Sequence, residues 1–67
     1  MKILFNNRDF STDAPRLTVR ELLDIHHITP AGIAVARNGK VVRKADWASA
    51  ELAEGDSVIV ITAVCGG

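Results

Sequence analysis

The sequence predicts an α+β fold, one short helix packed on one face of a mostly antiparallel sheet. Three observations predict it. A capped, amphipathic helix pattern begins at Thr18. An Asn38-Gly39 pair separates two β-prone runs. A long apolar run then extends from Ser57 to Val64.

In chain order, Lys2 to Asn7 reads as a strand, closed by the turn-forming Asn6-Asn7-Arg8-Asp9 and followed by a short return through Phe10 and Ser11. Asp13-Ala14-Pro15 is a loop, because proline fixes its own φ and disfavours helix in the residue before it. Thr18-Val19-Arg20-Glu21 has the pattern of a capping box. In that arrangement the Thr18 hydroxyl accepts from the Glu21 amide while the Glu21 carboxylate reaches back. Val19, Leu22 and Leu23 then mark one apolar helix face, and Pro30 and Gly32 are expected to stop the helix.

Ile33 to Arg37, Asn38-Gly39 and Lys40 to Arg43 form a hairpin signal, since both central residues of a type I′ turn need positive φ. Lys44 to Ala53 is mixed and partly helix-prone, Glu54-Gly55-Asp56 is a turn, and Ser57 begins the final strand. Ile3, Phe5, Val19, Leu22, Leu23 and Val35 are expected in the core.

The bulk properties narrow the function classes. A chain of 67 residues makes one small domain, whose thin core cannot support a deep catalytic cleft. Eight basic and eight acidic residues cancel, which argues against a nucleic-acid partner. The Arg37, Lys40, Arg43, Lys44 group reads as the solvated end of the hairpin. Cys65 is the only cysteine, so no internal disulfide forms, and a reducing cytoplasm suits it. No apolar run approaches the roughly 18 residues of a membrane span, and the start turns polar too soon for a signal peptide. A soluble, cytoplasmic chain is expected, with no nucleic-acid or membrane partner.

Other candidate chemistry is weak. His26 and His27 are adjacent, so on a helix they point about 100° apart and do not form a metal pair. His26 falls at the core edge, seven residues after Val19. Ser11, Ser49 and Ser57 lack any nucleophile motif. Trp47 is expected to anchor the irregular crossing.

The final strand is apolar on both faces, with Val58, Val60 and Val64 on one and Ile59 and Ile61 on the other. A strand with one wet face should alternate. With a single helix to cover the sheet, the second apolar face is expected to meet a partner. After this strand come Val64-Cys65-Gly66-Gly67. Two glycines there give no folding benefit, because glycine costs the most backbone entropy to order. They do let a chain thread a narrow groove. The expected division is therefore a domain over residues 1–64 and a flexible tail over residues 65–67.

The whole chain resembles the ThiS family of thiamine-biosynthesis sulfur carriers, within the β-grasp group that includes ubiquitin. The resemblance is carried by Ile3-Leu4-Phe5-Asn6, Thr18 to Leu23, Ala34 to Gly39, Arg43 to Trp47, Glu54-Gly55-Asp56 with Val58, and Gly66-Gly67. It implies a β-grasp fold with a mixed four- to five-stranded sheet. It also implies that the chain is a protein cosubstrate and not a catalyst. By resemblance, a ubiquitin-activating-type adenylyltransferase (ThiF-like) adenylates the carboxylate of Gly67. Sulfur from a persulfide donor protein then gives a thiocarboxylate, which a thiazole synthase (ThiG-like) consumes.

In this scheme Gly66 and Cys65 belong to the threading tail, Cys65 as a small residue leading into the glycines. ATP and Mg are used by the activating partner, and this chain binds no cofactor. In the ubiquitin-like register Val58 and Val60 would face the helix and complete the core, and Leu4, Ile59 and Ile61 would form the exposed partner-docking face. The resemblance leaves two neighbouring readings: a carrier like the small subunit of molybdopterin synthase, and a ubiquitin-like interaction module.

Overall fold

A computed structural model describes residues 1–62 of the chain; residues 63–67 lie outside the described part. The elements are β1 (Lys2–Phe5), β2 (Arg8–Ser11), α1 (Val19–Ile25), β3 (Ile33–Arg37), β4 (Lys40–Val42) and β5 (Ser57–Thr62), with a short 3-10 turn at Lys44–Asp46 between β4 and β5. This is the expected order. The strands form one five-stranded sheet in the order β2-β1-β5-β3-β4, which the sequence pattern alone left open. Neighbours pair antiparallel except β1 and β5, which run parallel at the centre. The sheet is therefore mixed.

Both hairpins close through two left-handed residues. Asn38 has φ 50° and Gly39 φ 84°, between the paired Arg37 and Lys40. Asn6 and Asn7 do the same with φ 51° and 66°, between Phe5 and Arg8. The first turn is tighter than the four residues expected, and β2 accordingly begins at Arg8. Asparagine tolerates this region because its short side chain bonds locally.

The capping box is present: Glu21 N–H donates to Thr18 Oγ1 at 3.1 Å, and Thr18 N–H to Glu21 Oε1 at 2.9 Å. The remaining orphan amides of the first turn find carbonyls of the crossing. Val19 N–H donates to Ala50 O at 3.0 Å and Arg20 N–H to Trp47 O at 3.1 Å. Pro30 and Gly32 do not stop the helix; it ends earlier. His27 adopts φ 56°, its N–H donates to Asp24 O at 3.1 Å, and Ile28 N–H donates to Leu23 O at 2.9 Å. These are the two bonds of a Schellman motif. Ile28 then packs against the core.

Ile3, Val19, Leu22, Leu23, Val35 and Val58 are buried as expected. Phe5 and Val60 are only partly buried, packed against that core. The reason is helix length: seven residues span about 10 Å and cannot roof the whole sheet. The core instead gains Leu17, Trp47 and Leu52. The crossing folds back over the helix start, with Leu52 N–H donating to Leu17 O at 2.7 Å. Trp47 anchors it, as expected, and its Nε1–H donates to Val42 O at 2.9 Å. No helix among the described residues is long and apolar enough to cross a membrane.

Candidate functional site

The register of the sheet decides which side chains share its open face. Successive strand residues point to opposite faces, and directly paired residues point to the same one. Val35 pairs with Val60 and with Val42, and all three face the helix side with the buried Val58. The other face therefore carries Ile59 opposite Ala36, Ala36 opposite Val41, and Ile61 opposite Ala34. Leu4 joins them, because it pairs with Ser57 in the parallel ladder. Leu4, Ile59, Ile61, Ala34, Ala36 and Val41 thus make an apolar band across four adjacent strands.

Within this band Ile61 is 56% exposed, Leu4 38% and Val41 75%. Ile59 lies on the open face as expected, yet it is half-buried where an exposed side chain was expected. It occupies the central strand, flanked by β1 and β3, which shield its sides. The sequence expectation named Leu4, Ile59 and Ile61. It missed Ala34, Ala36 and Val41, although Ile33-Ala34-Val35-Ala36 is apolar on both faces just as β5 is. That shared signal marks the same surface. Polar residues edge the band at its β1–β2 side, where Asp9 pairs with Leu4.

Around the band, the turn before β5 is held by Asp56, which is 8% exposed. Its Oδ2 accepts from Arg37 Nε and Ala53 N–H, both at 2.8 Å, and its Oδ1 from Asn38 Nδ2 at 3.0 Å. Burial pushes the Asp56 carboxyl upward, but these hydrogen bonds and the Arg37 charge outweigh it and hold the group below the usual aspartate range. Arg37 is thereby taken out of the basic group, and Lys40, Arg43 and Lys44 are solvent-exposed, as expected of a hairpin end.

The histidines are not brought together as ligands. His26 packs its ring 4.1 Å from that of Phe5 and 4.9 Å from that of Phe10, beside a shallow depression also lined by Asn6, Arg8 and Asp9. His27 is exposed. No group of three or more His, Cys, Asp or Glu that could hold a metal occurs among the described residues. The expected tail residues Cys65, Gly66 and Gly67 lie outside the described residues. The last described residues of β5, Ile61 and Thr62, are still paired with β3, opposite Ala34 and Ile33.

The ThiS family model matches residues 3–67. The sulfur carrier protein ThiS of Escherichia coli K12 is 34% identical over 67 residues, covering all of both chains. The crystal structure of a thiamine biosynthesis protein (ThiS) from Geobacter metallireducens covers all of both chains with a TM-score of 0.87 at 28% identity. The solution structure of a thiamine biosynthesis protein from the same organism gives a TM-score of 0.78 at 28% identity, covering all of this chain and 88% of that one. These neighbours share the β-grasp arrangement of a mixed five-stranded sheet and one helix.

Proposed function

We propose that this chain, which belongs to the ThiS family, works as a sulfur carrier protein in thiamine biosynthesis. The observation that carries the reading is full-length similarity: the family match runs through residue 67 and so includes Gly66-Gly67, and the E. coli sulfur carrier aligns without truncation at either end.

In this reading Gly67 is the reacting residue and the rest of the chain is its delivery system. A free α-carboxyl has a pKa of about 3.5, so at neutral pH Gly67 presents a carboxylate, a poor electrophile with no good leaving group. A ThiF-like adenylyltransferase supplies one. A carboxylate oxygen attacks the α-phosphorus of ATP, pyrophosphate leaves, and a mixed anhydride with AMP forms. ATP and Mg belong to that enzyme. The outer sulfur of a persulfide protein then displaces AMP, giving an acyl disulfide. A second protein thiol attacks the donor-side sulfur, so that a disulfide forms and a thiocarboxylate leaves, whose soft sulfur a ThiG-like thiazole synthase builds into the thiazole ring. The carrier is a cosubstrate and does no catalysis.

The apolar band across β1, β5, β3 and β4 is the docking surface for these enzymes in turn. It has an apolar centre and polar margins, the composition of a transient interface. A reducing cytoplasm is the setting, consistent with one unpaired cysteine.

Mass spectrometry tests the reading on chain co-expressed with its adenylyltransferase and supplied with ATP and a sulfur donor. Fragment ions should place an oxygen-to-sulfur exchange on Gly67. Oxidation of Met1 or Cys65 adds nearly the same mass, so only the fragment position is decisive. A Gly67 left unmodified under these conditions would refute it.

A further inference from the structure

β5 loses one neighbour before the other. On its β1 side the ladder runs from Leu4 N–H donating to Asp56 O, at 2.9 Å, to Asn6 N–H donating to Val58 O, at 2.9 Å. The next amide on that edge is Val60 N–H. In a continuing parallel ladder its acceptor would be the backbone carbonyl of Asn6. But Asn6 already has φ 51° and has begun the turn into β2. Its side chain takes over instead, and Asn6 Oδ1 accepts from Val60 N–H at 2.7 Å. Asn6 thus grips β5 twice, by a backbone donor and a side-chain acceptor. Among the described residues no hydrogen bond from β1 or β2 reaches β5 beyond Val60, and Ile61 and Thr62 are paired with β3 alone.

We propose that Asn6 is a positioning residue for the carrier reaction, its carboxamide holding the end of β5 from which Gly67 must be presented. The proposal rests on the sulfur-carrier reading. Gly67 lies five residues beyond Thr62. So short a stretch spans at most about 16 Å, so the placement of β5 limits where the carboxylate can reach. The carboxylate must come within about 3.5 Å of its reaction partner in the adenylating site. An anchor one residue from the last exposed isoleucine of β5 therefore bears directly on how often that distance is met. Asn6 Oδ1 engages a backbone amide and not a side chain of the docking band.

The turn chemistry allows a clean dissection. Glycine accepts positive φ as readily as asparagine, so Asn6→Gly keeps the backbone path and deletes only the carboxamide. Asn6→Asp keeps an acceptor oxygen. Asn7 has φ 66°, so Asn7→Gly imposes the same kind of backbone change without removing the anchor.

The four chains, wild type included, are compared by amide hydrogen exchange at Val60, by equilibrium binding to the adenylating enzyme without ATP, and by pyrophosphate release with ATP and Mg. For Asn6→Gly we expect Val60 to exchange about tenfold faster, the worth of one hydrogen bond. Its Kd should stay within about twofold, and its kcat should fall about tenfold. Asn6→Asp should restore both exchange and kcat, and Asn7→Gly should match wild type. Unchanged kcat in Asn6→Gly, a loss explained by Kd, or an Asn6→Asp chain as slow as Asn6→Gly overturns the role of Asn6. A wild-type chain that releases no pyrophosphate overturns the sulfur-carrier reading and this inference with it. Val60 exchange, read without any enzyme, separates the two failures.

Discussion

Arg37 directs both Nε and Nη2 onto a single oxygen of Asp56, each at 2.8 Å, across nineteen residues of sequence. That one contact ties the end of β3 to the turn that launches β5. Removing the acceptor should therefore be costly. Asp56→Asn places an NH2 against either Arg37 and Ala53 N–H or the Asn38 amide, whichever way it turns. We expect a loss of about 2 kcal/mol, moderated because the Arg37 side chain is 32% exposed. Thermal melts should show Tm lower by about 10 °C.

The same site sets a pH dependence. The folded-state pKa of Asp56 is lowered, so its contribution is present above the unfolded value of about 3.9 and is lost as pH falls through the lower folded value. Urea titrations from pH 6 downward, at about one-unit steps, should show wild type and Asp56→Asn converging in the acid range. A gap that stays constant to the lowest pH would contradict this.

Gly39 isolates a purely conformational cost. It has φ 84°, and nothing lies within 4 Å of a Cβ added there. Gly39→Ala should therefore destabilise by about 1 to 2 kcal/mol from the left-handed backbone alone. Chemical denaturation of the variant, with an unchanged m-value, checks it.

Thr18 caps the helix that roofs the sheet. Thr18→Ala removes the oxygen that Glu21 N–H uses and should cost about 1 kcal/mol, whereas Thr18→Ser should recover most of it. Equilibrium unfolding of the pair reads the difference.

The docking band predicts a split between stability and binding. Ile61 is 56% exposed, so Ile61→Asp should change folding stability by only about 0.5 kcal/mol. It should weaken binding to the adenylating enzyme at least about tenfold, because a charge is desolvated in an apolar interface. Calorimetry of folding and of binding on one preparation distinguishes the two effects. Equal losses in both would show a packing role instead.

Local chemistry was legible in the sequence wherever neighbouring residues enforce it. Asn38-Gly39 and the Thr18 to Glu21 box each specify their own geometry, and both are present. The apolar character of both faces of β5 likewise pointed to the open face. What escaped depends on distant partners. The helix stop is a left-handed His27, a residue whose type signals that conformation only weakly, stabilised by bonds from His27 to Asp24 and from Ile28 to Leu23. Leu17, Trp47 and Leu52 enter the core because the crossing docks its carbonyls on the helix start, which no periodicity within the crossing encodes. Asn6 reads as a turn residue, and only the parallel approach of β5, 54 residues away, gives its side chain a second task. Ile59 was placed on the right face but with too much exposure, since shielding by β1 and β3 requires the strand order.

The strand at the heart of the sheet, β5, follows every other element in chain order. As the chain emerges from the ribosome, the β1–β2 and β3–β4 hairpins are made first, and neither has its central neighbour. Isolated two-stranded hairpins are marginal in water. Folding thus waits until the segment leading to Gly67 has been synthesised. A chain cut short before β5 remains unfolded and open to proteolysis.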